Sequence, residues 1–212
     1  MGSELNIWNR TSSLFTHLMF KVVLFDADGM VIVAVRFSEQ MQTKYGIPWE
    51  AMEPFFEGPF QRCKTTQADL REELSKALPS WGWKGTVDEL MDFWFRSASV
   101  TDPRIVKLVQ NLRSAGVRCY LATNQEPYRA AFLRTQMHFD TLFDGLFTSA
   151  EIGCMKNDPA FFDHVYKTVN TPDNPTQPSE ILFADDRAEN IEVAKTCGFQ
   201  THLYTGFEAF AS

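Results

Sequence analysis

No two cysteines in this chain stand at the spacing of a metal knuckle or a disulfide framework. Cys63, Cys119, Cys154 and Cys197 are scattered and form no C-x-x-C element, so reduced thiols of a cytoplasmic protein are expected. His17, His138, His164 and His202 are equally isolated, which argues against a histidine-rich metal site. No apolar run approaches the roughly 20 residues that a membrane-spanning helix needs, and there is no internal repeat or low-complexity tract. Positive charge is in deficit. Twenty Lys and Arg against 27 Asp and Glu leave a net charge of −7, which argues against broad binding to nucleic acid or to an anionic membrane. Any anionic ligand must therefore be held by a local device. The 212 residues are 44% hydrophobic and 22% charged, the composition of one globular domain or of one domain with a small insertion. Residues 1–18 lack the basic start and apolar block of a secretory signal and read as a leader or an appended segment, with the folded domain beginning at Met19.

Short apolar runs recur, each ending abruptly in polar residues. Lys21 to Phe25 stops at Asp26-Ala-Asp-Gly29, Arg118 to Ala122 at Thr123-Asn-Gln125, and Ile181 to Ala184 at Asp185-Asp186. Gly145 to Thr148 and Gln200 to Tyr204 are two further candidates. These are the marks of buried strands. Amphipathic helices alternate with them. Ile105, Leu108, Val109 and Leu112 share one helical face behind an Asp102 N-cap and Pro103, with Gly116 as the stop. A similar unit runs from Arg187 to Cys197 and stops at Gly198. Alternating strands and helices predict an α/β fold with a doubly wound, mainly parallel sheet, whose ligands lie beyond the C-terminal strand ends.

The stretch 37–99 differs. It is rich in aromatic residues, among them Tyr45, Phe55, Phe56, Phe60, Trp81, Phe93, Trp94 and Phe95, and its patterns (Gln67 to Leu78, Val87 to Phe95) are helical. It reads as an inserted small helical cap on a core formed by 19–36 and 100–212. Most of its aromatics belong to a core, with one or two near Phe55 to Phe60 available to line a pocket. The proline-rich segment Thr171 to Ser179 reads as a surface loop.

Two acidic elements carry the chemistry. Strand alternation would direct Asp26 and Asp28 to one side, where a buried pair repels itself and resists ionising unless a cation sits beside it. Asp185 and Asp186 follow another strand, with Asn190 four residues beyond. If the two strands are neighbours, Asp26, Asp185 and Asp186 converge, and that many hard oxygen donors suit magnesium held together with a substrate phosphate. Capping of the next helix is the alternative use of Asp185 or Asp186.

With Lys156 in Gly153-Cys-Met-Lys-Asn-Asp-Pro159, these motifs stand in an order that resembles the haloacid dehalogenase-like hydrolase superfamily over roughly residues 20 to 205. The likeness is to its phosphatase branch with a small helical cap, nearest to sugar-phosphate phosphatases and the phosphatase domain of soluble epoxide hydrolase. The resemblance implies a Mg2+-dependent phosphatase of a small phosphorylated metabolite, acting through an aspartyl-phosphate on Asp26. Asp28 would be the proton shuttle. Thr123 and Asn124, with backbone N–H groups before the helix near Pro127, would hold the phosphoryl oxygens, and Lys156 would neutralise both Asp26 and the phosphoryl group. Asp26, the Asp28 carbonyl and Asp186 would bind the metal with Asp185 in support, while Gly29 and Asn190 shape the loops. An aspartate at position 28 favours phosphoryl transfer over carbon–halogen cleavage, which has no leaving oxygen to protonate. One departure stands out: Asn157, and not proline, directly follows the motif lysine. A phosphomutase on the same core and a non-catalytic binding module are the alternatives, and oligomeric state is left open.

Overall fold

A computed structural model describes residues 20–211; the expected leader, Met19 and His17 lie outside them. In chain order the elements are β1 (Val22–Phe25), α1 (Phe37–Tyr45), α2 (Trp49–Glu57), α3 (Pro59–Cys63), α4 (Leu70–Trp81), α5 (Val87–Ser97) and α6 (Pro103–Ser114). They continue with β2 (Arg118–Thr123), α7 (Pro127–Thr135), α8 (Phe139–Leu142), β3 (Gly145–Thr148), α9 (Ser149–Ile152) and α10 (Pro159–Val169). After a 3-10 turn at Pro178–Glu180 come β4 (Ile181–Asp185), α11 (Ala188–Thr196), β5 (Gln200–Leu203) and α12 (Phe207–Ala211).

The strands form one parallel sheet in the order β3-β2-β1-β4-β5. All four residues of β1 are buried, as a central parallel strand covered on both faces requires. Val23 and Phe25 point to one face and pack with Ile105, Leu108 and Leu112 of α6 and with Phe210 of α12. Val22 and Leu24 point to the other and pack with Phe161, Phe162 and Val165 of α10 and Ile191 of α11. Residue Phe25 stands level with Leu121 of β2 and Ala184 of β4. The three strands therefore end side by side, and the polar residues that follow them meet at one edge.

Helices α1–α5 build a separate hydrophobic cluster containing Met41, Met52, Phe55, Leu70, Leu74, Trp81 and Phe95. Helix α4 begins later than its apolar pattern suggests, because the Asp69 carboxylate accepts from Arg71 N at 2.8 Å and Glu72 N at 3.1 Å and so starts the helix after itself. Thr86 and Glu89 form a reciprocal capping box on α5. Two short connections join this helical unit to the sheet and run side by side, with Val33 N donating to Val100 O at 2.8 Å and Asp102 N to Val31 O at 2.9 Å. The segment 171–179 is a turn-containing connection into β4, in line with the expected loop.

Phe162 has no exposed surface and contacts the rings of Phe161, Phe183 and Phe199. Replacing it with alanine leaves a cavity that fixed backbone on both sides cannot close. Phe162→Ala should cost about 3–5 kcal/mol in urea unfolding; a loss below about 1 kcal/mol would contradict the packing described.

Candidate active site

Beyond the C-terminal ends of β1, β2 and β4 a cleft of about 670 Å³ opens between the sheet and the helical unit. Asp26, Asp28, Thr123, Asn124, Lys156, Asp186 and Asn190 all line it. The residues singled out in the sequence are thus gathered in one place.

At its floor lies Lys156, only 2% exposed. Its ammonium forms a very short ion pair with Asp26, reaches Asp185 Oδ2 at 2.7 Å and donates to the Ala122 carbonyl at 3.1 Å. Three donors meet three acceptors, which is the condition for burying a lysine. The Lys156 backbone is fixed as well, because its N–H donates to Asn124 Oδ1 at 2.9 Å. Asn124 therefore anchors the lysine as well as facing the cleft. The loop lysine keeps its place although Asn157, and not proline, comes next.

Asp185 has no exposed surface. Besides Lys156 it accepts from Arg187 N at 2.7 Å and from Asn190 Nδ2 at 3.0 and 3.1 Å. Asn190, on the first turn of α11, thus reaches back to the carboxylate that ends β4. Its own Oδ1 is buried and finds no partner among the described residues. Asp186 is exposed to the cleft and runs against Gly29. A Cβ built on Gly29 would stand 2.3 Å from Asp186 Oδ2, and the glycine φ of +99° is one that other residues rarely adopt. Only glycine lets the Asp26-Ala-Asp-Gly29 loop and Asp186 approach this closely.

One carboxylate oxygen each from Asp26, Asp185 and Asp186 lies within 4.8 Å of the other two. Burial raises the Asp26 carboxyl from 3.8 to about 7, Lys156 opposes this, and Asp185 and Asp28 push it further up. Burial also pulls at Lys156, yet Asp26 and Asp185 together hold it above its ordinary value. Burial and then Asp185 raise Asp186 too. A single ammonium does not neutralise this cluster. Hard oxygen donors short of positive charge, beside an unpartnered buried carbonyl oxygen, fit a divalent cation such as magnesium.

Asp28 is exposed where Asp26 is buried, so alternation alone does not describe the pair. Its Oδ2 accepts from Gln125 Nε2, and the same amide lies 3.2 Å from Thr123 Oγ1. Gln125 is a site residue that sequence reasoning passed over, although it directly follows Thr123-Asn124. Glu126 and Arg129 were missed too. Glu126 accepts from Tyr128 N at 2.7 Å and Arg129 N at 2.6 Å, so those first-turn donors are already taken. Arg129 donates to the carbonyls of Phe95 and Ala98 and so ties α7 to the end of α5. The pocket-lining aromatics also differ from expectation: Phe60 is joined by Phe37, Trp94 and Phe95, whereas Phe55 is 3% exposed inside the helical cluster.

The family model for haloacid dehalogenase-like hydrolases matches residues 20–198. A sesquiterpene phosphatase of Aspergillus oryzae is 37% identical over 98 residues, 46% of this chain and 47% of that protein. The chain thus matches about half the length of that relative. A D-ribitol-5-phosphate phosphatase of Bacteroides thetaiotaomicron is 27% identical over 150 residues, 68% of this chain and 70% of its own. A haloacid dehalogenase family enzyme from the same bacterium, solved as an aspartate-to-alanine variant with magnesium and inorganic phosphate, superposes with a TM-score of 0.72 at 19% identity, covering 87% of this chain and 93% of that one.

The raised Asp26 carboxyl has a thermodynamic signature. A carboxyl whose folded pKa exceeds its unfolded value holds its proton better in the native state, so its stabilising contribution is present at low pH and lost as pH rises through about 7. In metal-free buffer the unfolding free energy of wild type minus that of Asp26→Asn should grow as pH falls from about 8 to about 6, by at most about 1.4 kcal/mol per pH unit. Urea titrations showing a flat or opposite trend would refute the shift.

Proposed function

The chain belongs to the haloacid dehalogenase-like hydrolase family, and from that premise we propose that it is a magnesium-dependent phosphatase of a small organic phosphate. The observation that carries this reading is the meeting of Asp26, Lys156, Asp185 and Asp186 at one sheet edge, with Asp28 held beside them by Gln125. Phosphatases also appear among the relatives.

Asp26 attacks phosphorus, forming an O–P bond as the bond to the leaving oxygen breaks, so that one displacement becomes two easier ones. Asp28 gives its proton to the leaving oxygen and then takes one from the water that attacks the aspartyl-phosphate, releasing inorganic phosphate and restoring Asp26. Thr123 and Asn124 orient the phosphoryl oxygens. Lys156 offsets charge on Asp26 and on the phosphoryl group. Asp26, the Asp28 backbone carbonyl and Asp186 would hold magnesium, with Asp185 behind them. When bound, the ion supplies the positive charge that keeps Asp26 ionised and shields it from an incoming dianion. Residues 37–99 act as the cap over the substrate. Their wall of Phe37, Phe60, Trp94 and Phe95 favours an apolar organic body over a sugar, in keeping with the name of the sesquiterpene phosphatase relative.

Asp26→Asn should abolish phosphate release from p-nitrophenyl phosphate, by more than about 10³-fold, while the far-UV spectrum stays that of wild type. Chelation should do the same and magnesium should reverse it; activity persisting in the variant removes Asp26 as nucleophile. Asp28→Asn should be selective. If Asp28 protonates the leaving group, kcat on an alkyl phosphate falls at least about tenfold more than on p-nitrophenyl phosphate, whose leaving group needs little protonation. Equal losses on both would argue against that role.

A further inference from the structure

Lys64, the residue after α3, is a cation of the helical unit with no carboxylate of its own. Its side chain lines the active-site cleft, half-buried, with Nζ 5.6 Å from the centre of the Phe60 ring. No hydrogen bond or ion pair engages its ammonium among the described residues. The one acidic side chain acting on it, Glu189, is already paired with Arg187 at 2.8 Å. Its other charged influences have its own sign: Arg187, across the cleft on the sheet side, and Lys156. Burial first, then these two cations, push Lys64 from 10.5 down to about 8.

The position of Lys64 is built and not incidental. Its carbonyl oxygen lies 2.7 Å from the hydroxyl of Ser149, a fully buried residue that follows β3. Two residues on, Thr66 sits at φ 60°, a left-handed conformation that β-branched residues avoid. Its N–H donates to Cys63 O at 3.1 Å, and Gln67 N donates to Arg62 O at 2.9 Å. Backbone strain of this kind survives only where its surroundings enforce it. The loop therefore holds an ammonium in the same cleft as a guanidinium, and Glu189 offsets only part of the repulsion that Arg187 and Lys156 exert on it. A bound anion adds an attraction to each cation, and the half-buried setting of Lys64 strengthens its share.

We propose that Lys64 and Arg187 form a subsite for a second negative charge on the substrate, so that this enzyme prefers phosphate esters carrying a further anionic group beside an apolar body. This rests on the phosphatase reading above, and it deepens that reading by naming a substrate class. Both a second phosphoryl group and a carboxylate supply the required charge.

The test is calorimetric titration of the magnesium-loaded full chain with three non-hydrolysable ligands: phenylphosphonate, 3-phosphonobenzoate and 1,3-phenylenebisphosphonate. At least one of the two ligands with a second anionic group should bind wild type about tenfold or more tighter than phenylphosphonate, and the tighter of them identifies the second group as carboxylate or phosphoryl. In Lys64→Gln, and separately in Arg187→Gln, that ratio should fall to about twofold or less. A wild-type ratio near one overturns the subsite, and so does a ratio that survives both substitutions. Turnover of p-nitrophenyl phosphate by the same wild-type preparation keeps the two readings apart. Turnover without a charge preference overturns the subsite alone, whereas a charge preference without turnover supports the subsite and strikes the phosphatase reading.

Discussion

Everything at the active edge is arranged around one buried ammonium. Lys156 sits where an isolated charge would cost several kcal/mol, and it is tolerable only because Asp26, Asp185 and the Ala122 carbonyl each take one of its hydrogens. These acceptors come from the ends of β1, β4 and β2. The requirement to satisfy one lysine therefore ties three strand ends and the loop before α10 together. The same constraint works in reverse on the acids. They outnumber the lysine, and the resulting shortage of positive charge makes the cluster receptive to a cation and to whatever that cation carries.

The sheet makes this convergence possible. In a parallel arrangement every strand delivers its C-terminal residue to the same edge, and the matched register of Phe25, Leu121 and Ala184 puts the three deliveries at one height. Gly29 removes the last obstacle by leaving room for Asp186. Apolar side chains on both faces of the sheet hold the strands on which this edge is built.

The helical unit contributes in a different way. It has its own core, against which Tyr128 and Phe132 of α7 also pack, and its polar links to the sheet side include Tyr128 Oη on Asp69 at 2.7 Å, Arg129 on the carbonyls closing α5, and Ser149 on Lys64. Each pairs a residue from the catalytic side with one from the opposite wall. The cleft is therefore shaped by polar fastenings at its rim and by aromatic rings along its wall, so its charge and its hydrophobicity are set by separate sets of residues.

Much of this was legible in the order of residues. The apolar runs ending in acids predict buried parallel strands and an acidic edge, because period-free hydrophobic runs bounded by helical patterns have few other uses. Asp26, Asp28, Asp185 and Asp186 stand out for that reason, and Lys156 through the order of motifs. Local pattern could not reveal which residues serve these. Gln125 as the partner of Asp28, Asn124 as an anchor for the lysine, Arg129 as a tie between walls and Lys64 as an unpaired cation are all defined by neighbours distant in sequence. Nor could it tell core aromatics from lining ones, as Phe55 and Phe60 demonstrate, because adjacent turns of one helical stretch look alike until their partners are known. The sequence by itself determined the elements and the kinds of charge at their ends, since these follow from short-range periodicity and chemistry. Only the tertiary structure decided who meets whom, because hydrogen bonds and ion pairs act over a few ångströms in space between residues far apart in the chain.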